Sequence, residues 1–385
     1  MKNSLEKHCI VVTCFDENQP GFLDFSYRIA SLKKHYRLTV VSQAEITQKE
    51  LLMDNVNYQI FNTKSGKLGW LSYLAKCAYF IRQQKADIVV LLHSAAAPIT
   101  LFIGKIPTCL YWNEHPTNLI HLPNSFAPLR HTLVLMLHRL IFSGAKKSKL
   151  VMPIGEEHQD DLYQHQVGFN KVRMLPMGVS DKFLLVTSVI QFKPYEPLQL
   201  IYIGTVSKAR GRDVMLEAMS LLVKNKVNVH LTIVGASLDQ IDICTQRIKD
   251  LDIIKNISLI GKVSGEQIPS YLAQADIGIC LWEQNPWNEF NPPTKLFEYL
   301  VAGIPVLASN IRTHTRYVHH WKNGLIFDYD ATSLANAITE LHKHKNKIQS
   351  LKKQAAESGQ PYLWSRIEPI FLDYVNKAAN GIAYS

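Results

Sequence analysis

Short runs of consecutive apolar residues recur along the chain, and a turn and a helical pattern follow most of them. In the first half these runs lie at 9–13, 38–42, 87–92, 108–112 and 150–153; in the second they lie at 200–204, 229–235, 257–261, 277–281 and 305–309. Continuous apolar runs are typical of strands covered on both faces, as in a parallel sheet between helical layers. The pattern therefore predicts an α/β protein.

The alternation is interrupted once, at residues 187–199. This segment contains Pro194 and Pro197 and has no clear period, which is typical of a linker. A chain of 385 residues is long enough for two domains with separate cores. We therefore predict an N-terminal domain at 1–186, the linker at 187–199, a C-terminal domain at 200–358 and an amphipathic helix within 359–385.

The composition is that of a globular protein, with 47% hydrophobic and 19% charged residues. The net charge of +10 suits nucleic acid, an anionic membrane face or phosphorylated substrates, and composition alone does not choose among them. No apolar run reaches the roughly 18 residues of a membrane span, and no signal-peptide pattern is present. Six scattered cysteines without a CxxC pair predict reduced thiols in a cytoplasmic protein, with no metal site.

The segment 291–309 carries the candidate chemistry and has the pattern of a loop, a helix, a glycine stop and a strand. Pro293 is suited to the first helical position, and Gly303 to the end of the helix. The N–H groups near Thr294 and Lys295 then form a helix N-terminus, which favours a phosphate or diphosphate. Glu298 lies one turn further on, either as an acceptor for sugar hydroxyls or as a solvated helix residue.

The stretch PTKLFEYLVAGIPVLAS, residues 293–309, resembles the donor-binding signature of the GT4 family of retaining GT-B glycosyltransferases. Supporting pieces occur in the family's order at 175–180, 203–205, 210–211, 233–235, 260–263 and 275–278. The similarity covers about residues 172–338 and extends only loosely over the first 150 residues. It implies two Rossmann-like domains whose parallel sheets face each other across an interdomain cleft, with the last helix crossing back to the N-terminal domain.

The resemblance also implies a donor site in the C-terminal domain. Arg210 resembles the basic residue that contacts the donor diphosphate, and Glu298 resembles the second acid of a Glu-x7-Glu motif, which binds the ribose. The other expected donor contacts are Gly204, Lys208, Lys262, Val263, Pro293, Thr294 and Lys295, with the backbone N–H groups near the last three holding the diphosphate at the helix start. Positive charge at these positions stabilises a leaving nucleoside diphosphate, so no metal or other cofactor is expected.

Two positions depart from the family pattern. The first acid of the motif falls at Phe290, which leaves Glu289, one residue away, as the alternative catalytic acid. Thr205 occupies a position where many relatives have a phosphate-contacting arginine, and Lys208 is the expected substitute.

The N-terminal half offers weaker candidates. Gly21 lies in a loop that approaches the donor phosphates in the family, although a plain turn glycine fits equally. His115 follows a predicted strand, near the expected donor sugar, and a structural histidine is the alternative. The segment 129–142 and the lysines after it predict either a helix on an anionic membrane surface or an ordinary buried helix.

The resemblance implies transfer of a sugar, with retention, from a nucleotide sugar to a saccharide or a lipid-linked saccharide, in cell-surface polysaccharide or glycolipid assembly. The missing first acid keeps open a catalytically silent GT-B subunit that binds a partner enzyme. The chain shows no acid/base constellation that would support an epimerase. It also shows no aromatic-basic motif that would support nucleic-acid binding. The expected location is the cytoplasm, free or on the cytoplasmic membrane face.

Overall fold

Six parallel strands form one sheet in the first half of the computed structural model, which describes residues 7–13, 22–46, 52–64, 66–116, 128–184 and 196–382. The strands are β1 (His8–Val12), β2 (Arg37–Ser42), β3 (Val56–Ile60), β4 (Ile88–Leu91), β5 (Thr108–Trp112) and β6 (Leu150–Pro153). The helices are α1 (Phe22–Lys33), α2 (Lys67–Gln83), α3 (Pro128–Lys147) and α4 (Glu156–Gln164), with a 3-10 helix at Ser94–Leu101. The strand order is β3-β2-β1-β4-β5-β6, so the winding direction reverses between β1 and β4.

A second parallel sheet of six strands follows. Its strands are β7 (Leu198–Ile203), β8 (Val229–Ala236), β9 (Ile257–Gly261), β10 (Ile277–Cys280), β11 (Val306–Ser309) and β12 (Gly324–Phe327). The helices are α5 (Arg212–Lys224), α6 (Leu238–Asp250), α7 (Ile268–Leu272), α8 (Thr294–Val301), α9 (Arg312–Thr315), α10 (Ala331–Lys343) and α11 (Ile348–Gly359). The order β12-β11-β10-β7-β8-β9 repeats the first topology, with its reversal between β7 and β10. The prediction of two Rossmann-like domains is confirmed.

Strand β1 shows why the predicted strands are continuous apolar runs. Cys9 and Val11 belong to a core that includes residues of α1, whereas Ile10 and Val12 belong to a second core with residues of α2 and α3. Because successive side chains point to opposite faces, a strand covered on both sides needs apolar residues at every position. The edge strand β3 alternates apolar and polar residues instead, and the search for continuous runs missed it.

The chain divides into two compact units. The first comprises Met1–Gly178 and Trp364–Ser385, and the second comprises Val179–Leu363. The first unit ends before the predicted boundary at residue 186, because the Val179 N–H donates to the Tyr362 carbonyl at 2.8 Å within the second unit. The predicted linker 187–199 lies outside the described residues up to position 195, and β7 occupies its last two positions.

The last helix, α12 (Trp364–Ala379), belongs to the first unit. Its residues Ile367 and Phe371 share a core with Phe25 and Ile29 of α1. The five cysteines within the described residues are free and buried. No helix in the described ranges is long and apolar enough to cross a membrane, and none of their His, Cys, Asp and Glu side chains form a metal-binding group of three or more.

Candidate functional site

Helix α8 is anchored to the second sheet where β7 and β10 run side by side. The Tyr299 hydroxyl accepts the Ile203 N–H at 3.0 Å, at the last residue of β7. The Tyr299 ring covers Gly278 of β10 so closely that a β-carbon there would lie 2.5 Å from it. These contacts hold α8 at the point where the winding direction reverses, which is where open parallel sheets bind ligands.

The two ends of α8 follow the local sequence signals. Pro293 is the N-cap residue rather than the first helical residue, with extended backbone angles. At the other end Gly303 has a φ of 70°, and the Ile304 N–H donates to the Tyr299 carbonyl at 2.8 Å. This left-handed glycine closes the last turn, so the predicted glycine stop is confirmed.

The first N–H groups of α8 are available to a ligand. Those of Thr294 and Lys295 have no acceptor among the described residues, whereas that of Leu296 donates to the Pro293 carbonyl at 3.1 Å. Unpaired N–H groups and the helix dipole together give this end about half a positive charge. An anion with several oxygens fits such an end.

The Lys295 side chain brings a full positive charge to the same place. The side chain is buried, and its Nζ lies 3.8 Å from the centre of the Tyr202 ring. A β-carbon on Gly204 would lie only 3.1 Å from this Nζ, so the ammonium stands beside the residue that follows β7. Gly204 has a φ of 129°, a conformation that only glycine adopts readily.

Arg210 lies against two tryptophans that the sequence analysis missed. Its guanidinium carbon is 4.7 Å from the centre of the Trp282 ring and 5.1 Å from that of Trp287. Trp282 follows β10, and its N–H donates to the Ser309 Oγ at 2.9 Å. The Trp282 Nε1 is buried and has no partner among the described residues. The rule that ligands bind beyond the carboxyl ends of strands points to Trp282 as well as to Gly204.

Glu298 lies three residues beyond Lys295 and is partly buried. Its carboxyl group forms no hydrogen bond with any residue in the described part of the chain. Burial raises the pKa of this carboxyl to about 7, against the opposing effect of the Lys295 ammonium. The group is therefore close to half-ionised at neutral pH and has its hydrogen-bonding capacity free for a ligand.

The other donor-site candidates lie on the ends of neighbouring strands. Lys208 is exposed and begins the short 3-10 turn Lys208–Arg210. Lys262 is exposed and Val263 partly buried, and both directly follow β9. Their positions agree with strand-end contacts but do not by themselves assign a ligand.

The loop before α8 holds Glu289 and Phe290 beside Arg312. Glu289 Oε2 lies 3.9 Å from the Arg312 Nε, and the Glu289 carbonyl accepts a hydrogen bond from the same guanidinium at 3.2 Å. The Arg312 guanidinium carbon is 5.4 Å from the centre of the Phe290 ring. Arg312 was not among the sequence candidates, and it gives Glu289 a partner of opposite charge.

In the first unit, His115 is buried after β5. Its Nε2 lies 3.1 Å from the Asp161 Oδ2, and its ring stands near those of His138 and His158. Burial acts to raise the pKa of Asp161, but the hydrogen bond with His115 and the nearby imidazoles lower it overall. Asp161 was not found from sequence because α4 brings it to His115 across 46 positions. Gly21 lies outside the described residues.

Helix α3 has one buried and one exposed face. Val134, Leu137 and Ile141 are buried in the core of the first unit. The exposed face carries an apolar group, a basic group and no acidic residue: Leu133, Leu135 and Met136, followed by Arg139, Lys146 and Lys147. The helix is thus buried on one face only, and its exposed face has both apolar and basic side chains.

Residues 188–358 match the profile of the family described as Glycosyl transferases group 1. The chain is 22% identical to spore coat protein SA of Bacillus subtilis (strain 168) over 187 residues, which cover 46% of this chain and 48% of that protein. It is 25% identical to the amylovoran biosynthesis glycosyltransferase AmsK of Erwinia amylovora over 198 residues, which cover 51% and 48%. The chain thus spans about half the length of these curated relatives.

The crystal structure of Anabaena HepE in complex with UDP and glucose is similar over nearly the whole chain. The TM-score is 0.71 at 17% identity, with 95% of this chain and 99% of that chain covered. The family profile and this likeness agree with the two doubly wound sheets. Residues 188–358 are therefore similar to glycosyl transferases group 1, and the chain as a whole has the GT-B fold.

Proposed function

We propose that the protein is a glycosyltransferase that moves a sugar, with retention, from a nucleotide sugar to a hydroxyl of a saccharide or lipid-linked saccharide. The observation that carries the proposal is the cationic N-terminus of α8 beside Gly204, with Glu298 one turn further along. A relative named for amylovoran biosynthesis supports a role in polysaccharide assembly.

In this proposal the second unit binds the donor. The N–H groups of Thr294 and Lys295, together with Arg210, stabilise the negative charge that develops on the diphosphate as the glycosidic bond breaks. Glu298 accepts hydrogen bonds from the ribose hydroxyls, which favour its ionised form. Lys208, Lys262 and Val263 complete the contacts with the phosphates and the base.

Thermal unfolding with nucleotide ligands tests this assignment, because a ligand that binds the native state raises its stability. Anabaena HepE is known in complexes with UDP and with UDP-glucose, so these two are the first probes, followed by the guanine and adenine equivalents. The preferred nucleotide should raise the melting temperature, and Glu298→Gln should reduce the rise. If no nucleoside diphosphate or nucleotide sugar changes the melting temperature, the proposal is wrong.

Turnover separates an enzyme from a silent subunit. Slow release of nucleoside diphosphate from the preferred nucleotide sugar, unchanged by EDTA, is the expected result for a metal-independent transferase. Binding without turnover across a broad panel of acceptors would instead favour a GT-B subunit that supports a partner enzyme.

The catalytic roles of His115 and Glu289 are separate proposals. His115→Asn should lower kcat with little change in nucleotide affinity if the imidazole acts near the donor sugar. Glu289→Gln should do the same if this carboxylate replaces the acid missing at Phe290. A variant with native kcat removes the corresponding residue from the mechanism.

We also propose that the exposed face of α3 binds an anionic membrane surface. Its apolar group suits the headgroup region, and its basic group suits anionic lipid. Vesicles of phosphatidylcholine and phosphatidylglycerol should retain the protein in a salt-sensitive manner, and Met136→Glu should weaken retention. Equal retention by pure phosphatidylcholine, or none on either vesicle, would contradict this.

A further inference from the structure

Three lysine or arginine side chains are buried among the described residues: Arg28, Lys295 and Lys352. Arg28 forms two hydrogen bonds with the Asp24 carboxylate, at 3.0 and 3.1 Å. Lys352 lies 2.9 Å from the Asp276 carboxylate. Such partners are expected, because a buried charge is strongly unfavourable unless it is paired and hydrogen-bonded.

Lys295 differs from the other two. No carboxylate in the described part of the chain lies within 4.0 Å of its Nζ, and no described residue accepts a hydrogen bond from it. Its close contact is the face of the Tyr202 ring, at 3.8 Å from the centre. A cation–π contact of this kind offsets only part of the lost hydration. The site therefore holds a positive charge that the protein itself does not neutralise.

The titratable groups near Lys295 do not supply the missing negative charge. Glu298 is near half-ionised at neutral pH, since burial raises its pKa to about 7. Burial raises the pKa of the Cys280 thiol to about 12 and lowers that of His314 to about 3, so both remain neutral. Lys295 and these groups together thus carry a net positive charge, which favours binding of an anion.

The position of the ammonium indicates which anion. Its Nζ stands beside Gly204, directly after β7, and Lys295 also contributes one of the unpaired N–H groups of α8. The next residue, Thr205, is exposed and uncharged, and it occupies the position where the family resemblance predicts an arginine. The Lys295 ammonium, which comes from α8, therefore provides a positive charge at the end of β7, where an arginine at position 205 would provide one.

We propose that the Lys295 ammonium binds the donor diphosphate directly and takes the place of the arginine expected at position 205. The inference rests on the proposed function, and it assigns the lysine side chain in addition to its backbone N–H. It also explains why the site keeps an unneutralised buried charge, because the bound diphosphate supplies the counter-charge.

The test uses Lys295→Met, which keeps much of the side-chain volume and removes the charge. The ligands are UDP and uridine, or the diphosphate and nucleoside of whichever base native protein prefers. We expect affinity for the diphosphate to fall about 10- to 100-fold, the range for a lost hydrogen bond to a charged group, with affinity for the nucleoside nearly unchanged. The unliganded variant should melt at a higher temperature than native protein, because it no longer buries an unpaired charge.

Two further variants keep the test decisive. Lys295→Met combined with Thr205→Arg should recover a substantial part of the diphosphate affinity by restoring a cation at the end of β7. Lys352→Met, the matched control, should melt at a lower temperature because it leaves Asp276 without its partner.

The outcomes distinguish failure of the proposed function from failure of the Lys295 assignment. If native protein binds no diphosphate of any base, the proposed function fails. If native protein binds the diphosphate and Lys295→Met binds it equally well, or the unliganded variant melts at a lower temperature, then Lys295 is a structural residue packed on Tyr202 and the inference is overturned.

Discussion

Lys352 and Lys295 lie in the same unit and are both buried, yet their surroundings differ. The Lys352 ammonium is held by the Asp276 carboxylate at 2.9 Å and by the Ala275 carbonyl at 3.2 Å. Lys295 faces an aromatic ring and a strand end that carries no acid. This unit therefore neutralises a buried cation where it serves the fold, and leaves one unneutralised where a ligand is proposed to bind.

Lys352 and its partner Asp276 both form several hydrogen bonds within the protein. Asp276 also accepts the Gln199 N–H at 3.0 Å, so one carboxylate joins α11 to the residues around β7 and β10. Around Lys295 the first N–H groups of α8 and the Glu298 carboxyl are open, with no hydrogen-bond partner among the described residues. Open groups lower the stability of the empty protein and give a ligand its binding energy.

The largest effect is expected from Lys352→Met. Breaking a buried ion pair by removing one partner costs about 3–5 kcal/mol, because the other charge stays buried without compensation. The free energy of unfolding in urea measures this loss. The double variant Lys352→Met/Asp276→Asn should recover part of it. A loss below about 1 kcal/mol would mean that the pair is already well hydrated and would weaken the comparison.

The next effect comes from Glu298 and depends on pH. Its pKa of about 7 in the folded protein lies above its ordinary value of 4.5, so the folded chain keeps a proton that the unfolded chain has lost. Native protein should therefore be most stable relative to Glu298→Gln below pH 4.5 and should lose this advantage, up to about 3 kcal/mol, as the pH rises to 7.

Unfolding in urea at a series of pH values measures this difference. In the Lys295→Met background the pH range over which this stability difference is lost should extend to higher pH, because the ammonium lowers the Glu298 pKa. A stability difference that does not change between pH 4.5 and 7 would show that the carboxyl is ionised throughout.

A smaller effect is expected from Gly204→Ala. The substitution strains a backbone with φ of 129° and puts a methyl group 3.1 Å from the Lys295 Nζ, so we expect a loss of about 1–2 kcal/mol and weaker diphosphate binding. Gly104→Ala is the control: its φ is 76°, with nothing within 4 Å of the new β-carbon. Equal diphosphate affinity in native protein and Gly204→Ala would show that the space beside Gly204 is not needed for the Lys295 ammonium to bind the diphosphate.

The smallest effect on stability is expected from Trp282→Phe. A smaller aromatic ring still faces Arg210, and removal of the buried Nε1–H without a partner offsets part of the lost packing, so the free energy of unfolding should change by less than about 1 kcal/mol. Trp282→Ala should be more damaging, because it also removes the ring. If Trp282→Phe lowers stability as much as Trp282→Ala, the Nε1–H has a structural partner.

Much of the fold was predictable from local signals. Continuous apolar runs located five of the six strands of each sheet, with β3 and β12 missed, and Gly303 marked the end of α8. Strand β3 was missed because an edge strand is not buried on both faces and keeps its polar residues. The end of the first unit at Gly178 was not predictable, because it depends on the pairing of Val179 with Tyr362, which are far apart in sequence.

The candidate site also combines features that local sequence predicts with features that depend on packing. Local sequence was sufficient for the α/β class, most of the strands and the start of α8 near Thr294, because apolar periodicity, prolines and glycines act within a few residues. Three properties required the folded structure: the Lys295 ammonium reaches Gly204, Trp282 and Trp287 face Arg210, and Glu298 is buried enough to hold a proton near neutral pH. These properties depend on which surfaces pack together, and packing joins residues that no local pattern relates.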